Sequence, residues 1–223
     1  MPRIPGWEDS GRVLIAPSIL SANPACLAEG VGLAEEARAD LLHVDIMDGH
    51  FVPNLSFGPG LVEALSSQTH LPTEVHLMVD NPGAMIPLFA DAGASLIIFH
   101  RETSPHCHRH LDEIRRRGCL SGIAYNPSRS LADLPLLMDV LDLVVIMGVN
   151  PGFSGARFIP QTVQRVRQAR EMVAGTGIRI AVDGGVDLSN AQELREAGAS
   201  LLVSGSCLFS SEDPAATVAA LRG

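Results

Sequence analysis

Imidazole and carboxylate side chains recur where short apolar runs of this sequence end. His43 and Asp45 belong to the run 41–47, His76 belongs to the run 73–78, and Asp183 follows the run 178–182. Such groups are unfavourable to bury unless they are paired, protonated or bound to a metal. If the fold brings the four together, two imidazoles and two carboxylates can bind one divalent cation such as Zn, Fe, Mn or Co.

The same two carboxylates suit a proton-transfer reaction. If Asp45 and Asp183 approach one carbon from opposite sides, one can remove a proton from one face while the other returns a proton to the opposite face. A metal beside them would chelate the neighbouring oxygens and stabilise an enediolate. Each residue taken alone is better explained as a satisfied core histidine or a loop-capping aspartate. The hypothesis therefore depends on the four residues together.

Glycine-bearing turns follow the last three apolar runs and indicate a phosphate site. They contain Gly152, Phe153, Ser154 and Gly155, then Gly184 and Gly185, then Gly205 and Ser206. Exposed backbone N–H groups in such turns bind phosphate, and three consecutive turns at this place favour a phosphorylated substrate. The chain has no lysine, so backbone N–H groups, helix N-termini or arginine must neutralise the phosphate. Arg157 is a candidate, although an exposed arginine without this role is the simpler interpretation.

Two other patterns have a simpler structural interpretation. Met47, Met78 and Met147 stand at comparable strand ends, where methionine usually fills gaps in a core. As a group they could instead give a reactive centre an apolar, water-poor cover. The histidines of residues 106–110 resemble a metal-binding tract, but only His106 and His110 would share a helical face. We interpret that tract as the solvated start of a helix.

The elements that must position these residues alternate regularly along the chain. Apolar runs typical of strands occupy residues 13–18, 41–47, 73–78, 96–100, 121–125, 143–147, 178–182 and 201–204. Helix-like segments occupy residues 24–38, 59–67, 82–92, 106–117, 130–138, 160–174, 189–197 and a last one from 213. Eight such units predict an α/β fold, a single-domain (β/α)8 TIM barrel, with an open doubly wound sheet as the alternative. A barrel places catalytic residues at the C-terminal ends of its strands, where Ser18 and Asn126 also lie.

The N-terminal segment and the composition of the chain limit the class of protein to which it can belong. We expect residues 1–12 to be a flexible N-terminal leader and residues 13–223 to be the barrel catalytic domain, with Trp7 an incidental surface contact. The formal net charge is −9, which argues against nucleic acid or a membrane as partner. No apolar run approaches the roughly 20 residues of a membrane span. Four widely spaced cysteines indicate reduced thiols, and we expect a cytoplasmic homo-oligomer.

From residue 15 to residue 209 the motifs resemble those of the ribulose-phosphate 3-epimerase family. The matching stretches are Ser18-Ile19-Leu20-Ser21-Ala22, His43-Val44-Asp45-Ile46-Met47-Asp48-Gly49-His50-Phe51-Val52-Pro53-Asn54, His76-Leu77-Met78, Asn150-Pro151-Gly152-Phe153, Val182-Asp183-Gly184-Gly185 and Gly205-Ser206. The second stretch is long and specific, and the order of the set matches the family.

The resemblance implies an isomerase of the pentose phosphate pathway, with a small phosphorylated ketose as substrate. It would interconvert D-ribulose 5-phosphate and D-xylulose 5-phosphate, with Asp45 as proton acceptor, Asp183 as proton donor, and the roles exchanged in the reverse direction. The resemblance also implies the metal and substrate contacts. The metal would be held by His43, Asp45, His76 and Asp183. The substrate oxygens would contact Ser18, His76 and Asp183, and its phosphate end would contact Gly152, Phe153, Ser154, Gly155, Gly184, Gly185, Gly205 and Ser206.

Four positions depart from the family pattern and keep alternatives open. This chain has Gly148 where the family usually has Ser or Thr, and Ser154 where it usually has Gly. It has Ala156 where the family usually has Gln, and Cys207 where it usually has Ala. A related ketose phosphate such as allulose 6-phosphate is therefore the main alternative substrate. A barrel decarboxylase or lyase is disfavoured, because it commonly needs a lysine among the strand-end charges. A non-catalytic phosphate-binding barrel is a third reading, disfavoured by the intact His and Asp set.

Overall fold

A computed structural model of the chain describes residues 4–223 and contains one eight-stranded parallel barrel. The strands are β1 (Leu14–Pro17), β2 (Leu42–Met47), β3 (Thr73–Met78), β4 (Leu96–His100), β5 (Leu120–Tyr125), β6 (Leu143–Met147), β7 (Arg179–Asp183) and β8 (Leu201–Ser204). Neighbours in sequence pair in parallel from β2 to β8, and β1 pairs with β8. A single bridge between Ser18 and His43 joins β1 to β2. The predicted single-domain (β/α)8 TIM barrel is confirmed.

Alternation along each strand separates an inner from an outer core. In a strand, successive side chains point to opposite faces. One set fills the inside of the barrel: Leu14, Ala16, Leu41, Leu96, Ile98, Leu120, Ala124, Leu143, Val145, Met147, Ala181, Leu201 and Val203. The other set packs against the surrounding helices in a larger cluster. Polar side chains that point inward must therefore either sit at an open end of the barrel or find buried partners.

Helices surround the barrel in every unit except the fifth. They are α1 (Leu27–Glu36), α2 (Pro59–Gln68), α3 (Pro82–Asp91), α4 (Cys107–Arg116), α5 (Thr162–Met172), α6 (Ala191–Ala197), α7 (Ser206–Phe209) and α8 (Pro214–Arg222). The predicted helix at 130–138 is wrong, because that segment contains only two short 3-10 turns, Leu134–Leu136 and Met138–Val140. Pro135 lacks an N–H and disfavours helical backbone in the residue before it. Among residues 4–223, no helix combines the length and the hydropathy needed to cross a membrane.

The described part of the leader, residues 4–12, lies against the N-terminal end of the barrel. Ile4 is buried within the inner core, and Trp7 packs against the same cluster. Arg179, the first residue of β7, is buried and lies with its guanidinium carbon 5.4 Å from the centre of the Trp7 ring. Trp7 thus anchors the leader, contrary to the expectation of an incidental surface contact. The division at residue 12 and the flexibility of the leader stay predictions, and residues 1–3 lie outside the described range.

The Arg179 guanidinium ties the leader to the barrel through backbone carbonyls. It donates to the carbonyl oxygens of Gly6 and Trp7 at 2.8 Å, and to that of Asp9 at 2.6 Å. It also donates to the carbonyl oxygen of Arg12 at 3.0 Å. These partly buried carbonyl groups would lose a charged donor if the guanidinium were removed, and each such loss is unfavourable.

Arg179→Met should therefore lower the free energy of unfolding by about 3 kcal/mol, since methionine keeps the apolar stem and removes every donor. Urea unfolding followed by circular dichroism measures this change. Arg167→Met is the matched control, because Arg167 is half-exposed and lies 3.7 Å from Glu193 in a surface ion pair. The control should change stability by less than about 0.5 kcal/mol. Equal effects in the two variants would contradict an anchoring role for Arg179.

Candidate active site

Four side chains from three strands meet at the C-terminal end of the barrel. His43 and Asp45 lie on β2, His76 lies on β3, and Asp183 is the last residue of β7. The register of β2 and β3 sets Asp45 directly beside His76. One nitrogen or carboxylate oxygen from each of the four lies within 4.8 Å of those of the others, and all four side chains are buried. The structure therefore brings the predicted metal set together.

Short contacts link the members of this cluster. His43 Nε2 lies 3.2 Å from Asp45 Oδ1 and 3.7 Å from Asp183 Oδ2. His76 Nδ1 lies 3.1 Å from Asp183 Oδ2 and 3.7 Å from Asp45 Oδ1. The Ser18 hydroxyl donates to the other oxygen of Asp45, Oδ2, at 2.6 Å. One oxygen of each aspartate and one nitrogen of each histidine are thus directed at a common centre.

The donor set fits a divalent metal ion. His76 Nδ1 is buried and makes no hydrogen bond within the described residues, although it faces two carboxylates. A buried ring nitrogen without a hydrogen bond, beside two buried carboxylates, calls for a positive partner. Two imidazole nitrogens and two carboxylate oxygens are ligands that divalent transition metals accept. The cluster could therefore hold a metal ion.

The imidazoles and the carboxylates of the cluster each stabilise the charged form of the other. Burial alone would lower the pKa of His43, but the carboxylates of Asp45, Asp183 and Glu74 outweigh it and raise that pKa well above its ordinary value. Burial likewise opposes the charge on Asp45. The imidazoles of His43 and His76 and the Ser18 hydroxyl nevertheless lower the pKa of Asp45 to about 2. Asp45 is thus ionised at neutral pH, as a proton acceptor must be.

Sequence reasoning missed three polar residues behind the cluster whose side chains are buried or nearly so. Glu74 is fully buried, with Oε1 3.0 Å from Nδ1 of His43. His100 is also fully buried, and its Nε2 lies 2.9 Å from Nε2 of His76. Glu102 follows in a 3-10 turn, with Oε2 3.5 Å from Nδ1 of His100. Alternation could have found Glu74, which shares a face of β3 with His76, and His100 ends β4 as other site residues end their strands.

A cavity of about 460 Å³ opens above the two aspartates. Asp45 and Asp183 both contribute to its wall. So do Met47, Met78 and Met147, all of them buried. The three thioethers thus lie beside the carboxylates, where their low polarity keeps water away from a reacting carbon. Their position supports the second interpretation, an apolar cover, over simple core filling.

The three glycine-bearing turns line the same cavity. Its wall includes Gly152, Phe153, Ser154, Gly155, Gly184, Gly185, Gly205 and Ser206. Gly184 and Gly185 have φ values of 97° and 69°, a backbone conformation that favours glycine. A Cβ atom at Gly184 would lie 2.4 Å from Cγ2 of Val149, and one at Gly185 would lie 2.9 Å from Cα of Phe158. This turn therefore requires glycine both for its conformation and for its packing.

Other candidates from the sequence lie elsewhere or have other partners. His43 and His76 are fully buried below the aspartates and do not line the cavity. Asn126 does not line it either, and its backbone N–H donates to Glu102. Arg157 does line the cavity and is exposed. In the tract 106–110, His110 pairs with the Ser104 hydroxyl, and residues 4–223 contain no second cluster of three or more metal-ligating side chains.

Comparison with known proteins adds sequence similarity to this geometry. The model of the ribulose-phosphate 3 epimerase family matches residues 14–209. The chain is 46% identical over 203 residues to the ribulose-phosphate 3-epimerase of Escherichia coli (strain K12), with 90% of each chain covered. It is 41% identical over 214 residues to the ribulose-phosphate 3-epimerase of Bacillus subtilis (strain 168), with 95% of this chain and 99% of that one covered.

Comparison of structures supports the fold alone. The tryptophan synthase α-subunit of Pyrococcus furiosus superposes with a TM-score of 0.69 over 95% of this chain and 97% of that one. The two sequences are 15% identical. The likeness extends over nearly the whole barrel, and a shared fold of this kind does not imply a shared site.

Proposed function

Because this chain belongs to the ribulose-phosphate 3-epimerase family, we propose that it interconverts D-ribulose 5-phosphate and D-xylulose 5-phosphate by proton transfer at C3. It is an isomerase acting on carbohydrates. One observation carries the proposal: a single cavity joins two buried carboxylates, Asp45 and Asp183, to three glycine-bearing turns. Carboxylates suit proton transfer at carbon, and glycine turns suit a phosphate.

Asp45 and Asp183 act as the two acid–base groups. In the direction from ribulose 5-phosphate, the ionised Asp45 removes the proton from C3, and the Ser18 hydroxyl at 2.6 Å keeps its carboxylate oriented. Asp183 in its acid form returns a proton to the opposite face of the same carbon, and the roles exchange in the reverse direction. Between the two transfers the substrate is an enediolate. Met47, Met78 and Met147 exclude water from that carbon, so that the two aspartates control the proton.

His43, Asp45, His76 and Asp183 would hold one divalent cation of Zn, Fe, Mn or Co. Such an ion supplies positive charge beside the oxygens on which negative charge develops. Glu74 supports this arrangement, since its contact with Nδ1 of His43 leaves Nε2 of that ring directed at the cluster. A carboxylate behind a ligating histidine fixes the orientation and the tautomer of the ring.

The glycine-bearing turns hold the phosphate end of the substrate. The relevant backbone belongs to Gly152–Gly155, Gly184–Gly185 and Gly205–Ser206. Within residues 4–223, Arg157 is the one arginine that lines the cavity. The chain has no lysine, so backbone N–H groups supply most of the compensation for the phosphate charge. Ser18 lines the cavity and would contact substrate oxygens nearer the reacting carbon, whereas His76 lies below the cavity and would act through the cation. We further propose a homo-oligomer in the cytoplasm, which light scattering and cell fractionation would test.

The departures from the family pattern bear on the choice of ketose. A Cβ atom at Gly148 would lie 2.1 Å from the carbonyl oxygen of Gly184. The glycine at position 148 therefore accompanies a close approach of the two loops and does not by itself enlarge the cavity. The glycine at position 148 therefore gives no reason to prefer a longer substrate such as allulose 6-phosphate, which remains the second candidate because of Ser154, Ala156 and Cys207.

We expect kcat/KM for ribulose 5-phosphate to exceed that for allulose 6-phosphate by roughly tenfold or more, a ratio that one additional carbon can produce. Metal-reconstituted enzyme and proton NMR of both substrates in D2O measure the ratio. The same spectra report deuterium incorporation at C3. A reversed ratio would transfer the assignment to the hexulose phosphate. Absence of deuterium at C3 in both substrates would instead favour a non-catalytic phosphate-binding barrel.

A further inference from the structure

His100 and Glu102 extend the active-site cluster outward from His76. Nε2 of His76 lies 2.9 Å from Nε2 of His100, and Nδ1 of His100 lies 3.5 Å from Oε2 of Glu102. Both histidines are fully buried, and the Glu102 side chain is 7% exposed. The other oxygen of Glu102, Oε1, accepts from the backbone N–H of Asn126 at 3.1 Å. A carboxylate is therefore connected through His100 to the ring edge of His76 that faces away from the cluster.

The two rings meet edge to edge. Their planes are inclined by only 16°, and their centroids are 4.9 Å apart, whereas the two Nε2 atoms are 2.9 Å apart. The facing nitrogens thus lie between the rings, as a hydrogen bond in the ring planes requires. Phe51 packs against His100 with ring centroids 4.7 Å apart. This contact covers His100 and limits its rotation.

We propose that His100 and Glu102 are positioning residues that set the tautomer of His76, so that Nδ1 of His76 is free to bind the cation. The proposal rests on the metal centre of the proposed function and assigns two residues outside the four ligands to that centre. Neither residue touches the cavity in which the substrate would bind. Their effect must therefore pass through His76.

The hydrogen bond between the two rings allows only two proton arrangements when both rings are neutral. In the first, His76 donates from Nε2, its Nδ1 is a bare ligand atom, and His100 carries its own proton on Nδ1. In the second, His100 donates from Nε2, which leaves the proton of His76 on Nδ1 and blocks that atom as a ligand. The choice between them is made at the far side of His100.

Glu102 selects the first arrangement. Its Oε2 and Nδ1 of His100 are both buried and lie 3.5 Å apart, and neither atom makes a hydrogen bond within residues 4–223, so each is the nearest polar group available to the other. A proton on Nδ1 of His100 faces the carboxylate and is stabilised by it. Without that proton a nitrogen lone pair would face a buried negative oxygen, which is unfavourable.

His43 shows the same logic in a shorter form. Its Nδ1 lies 3.0 Å from Oε1 of Glu74, so that a carboxylate directly fixes the proton and leaves Nε2 for the cluster. His76 presents the opposite nitrogen, Nδ1, to the cluster. Its outward atom is therefore Nε2, and His100 transmits the influence of Glu102 to it. Each histidine of the metal set thus has a buried glutamate that determines its tautomer.

Cation affinity of the metal-free protein tests this proposal with a readout other than activity. In Glu102→Gln, the amide oxygen would keep the bond from Asn126 and the NH2 group would face Nδ1 of His100, favouring the blocking arrangement. We expect its affinity for Zn²⁺, measured by competition with a chromophoric chelator, to fall about 10- to 100-fold. His100→Phe keeps a ring against Phe51 but removes both nitrogens, and we expect a loss of similar size.

Thr103→Val is the matched control. Thr103 lies in the same turn and donates from its hydroxyl to the backbone oxygen of His100 at 2.9 Å, so the variant disturbs the turn but not the imidazole chain. Its Zn²⁺ affinity should match that of the wild type, and thermal unfolding of all metal-free variants verifies that each is folded. In the zinc-loaded wild type, long-range ¹H–¹⁵N NMR should find the proton of His100 on Nδ1 and that of His76 on Nε2.

Failure of this proposal and failure of the metal centre give different results. If the wild type binds Zn²⁺ and both Glu102→Gln and His100→Phe bind it equally well, the positioning role is overturned while the metal centre stands. A proton found on Nε2 of zinc-loaded His100 would overturn it as well. If the wild type binds no divalent cation and still epimerises, the metal centre fails, and the assignment of His100 and Glu102 fails with it.

Discussion

Asp183→Asn should lower kcat for epimerisation by roughly 10²- to 10⁴-fold, the contribution typical of a positioned acid–base group. The variant retains Asp45, which lines the same cavity as Asp183. Asp45 can still remove the C3 proton of ribulose 5-phosphate and return a solvent proton to the same face. In D2O we therefore expect deuterium to enter C3 of ribulose 5-phosphate faster than xylulose 5-phosphate forms.

Asp45→Asn should give the mirror-image result, with deuterium entering C3 of xylulose 5-phosphate and little conversion. Both variants need their metal content measured, because each aspartate is also a candidate ligand, and an amide keeps an oxygen for that purpose. Asp91→Asn, at an exposed carboxylate at the end of α3, is the control and should retain wild-type activity. Near-full epimerisation by either active-site variant would refute the two-carboxylate scheme.

The strands were predictable from the sequence because each is buried on both faces. Predicted and observed strand bounds agree within one residue, as for β3 at 73–78 and β6 at 143–147. Long apolar runs between turn residues leave little choice of conformation. The segment 130–138 failed for a local reason, since its apolar spacing favoured a helix while Pro135 interrupts helical backbone.

The inner part of the site was predictable for a different reason. A barrel brings the C-terminal ends of its strands together, so His43, Asp45, His76 and Asp183 could be grouped without knowing any distance. The outer residues depend on register. Glu74 reaches His43 because those two positions pair between β2 and β3, and His100 reaches His76 across 24 residues of sequence. A pattern along one strand does not specify which neighbour it faces.

The leader illustrates the same limit at longer range. Its composition, with Pro5, Gly6 and Gly11, predicts a loose segment but does not indicate which residues of the barrel it contacts. Arg179 meets carbonyl groups of residues 6–12 although more than 160 residues separate them in the sequence. The sequence around an arginine that begins a strand does not indicate its partners. They are determined only when the barrel closes and the N-terminal end of the barrel is formed. Backbone carbonyls, which carry no sequence signature, supply the contact.

Removal of the metal is expected to abolish most of the activity and part of the stability. Chelation should lower kcat at least about 100-fold, because roughly 3 kcal/mol of charge stabilisation in the transition state would be lost. Activity should return on addition of Zn²⁺, Mn²⁺, Co²⁺ or anaerobic Fe²⁺, and the relative rates identify the preferred ion. Epimerisation assays on chelator-treated protein, with elemental analysis of the same samples, measure this effect.

Binding of a cation to the same buried charges should also raise the free energy of unfolding. The cluster contains two carboxylates with few donors other than its own histidines and Ser18, so a bound cation stabilises the folded state relative to the unfolded chain. At a metal concentration 100 times Kd the gain is about 2.7 kcal/mol, or roughly 5–10 °C in Tm for a chain of this size.

His76→Asn should remove most of that thermal shift, whereas His108→Asn should retain it, since His108 is an exposed residue paired with Asp139 on the surface. If the metal-free protein remained fully active, the two aspartates would have to stabilise the enediolate without a cation. At that stage Asp45 holds the abstracted proton and Asp183 still holds its own, so neither aspartate supplies positive charge to the enediolate. Full activity without metal would therefore contradict the role proposed for the cation.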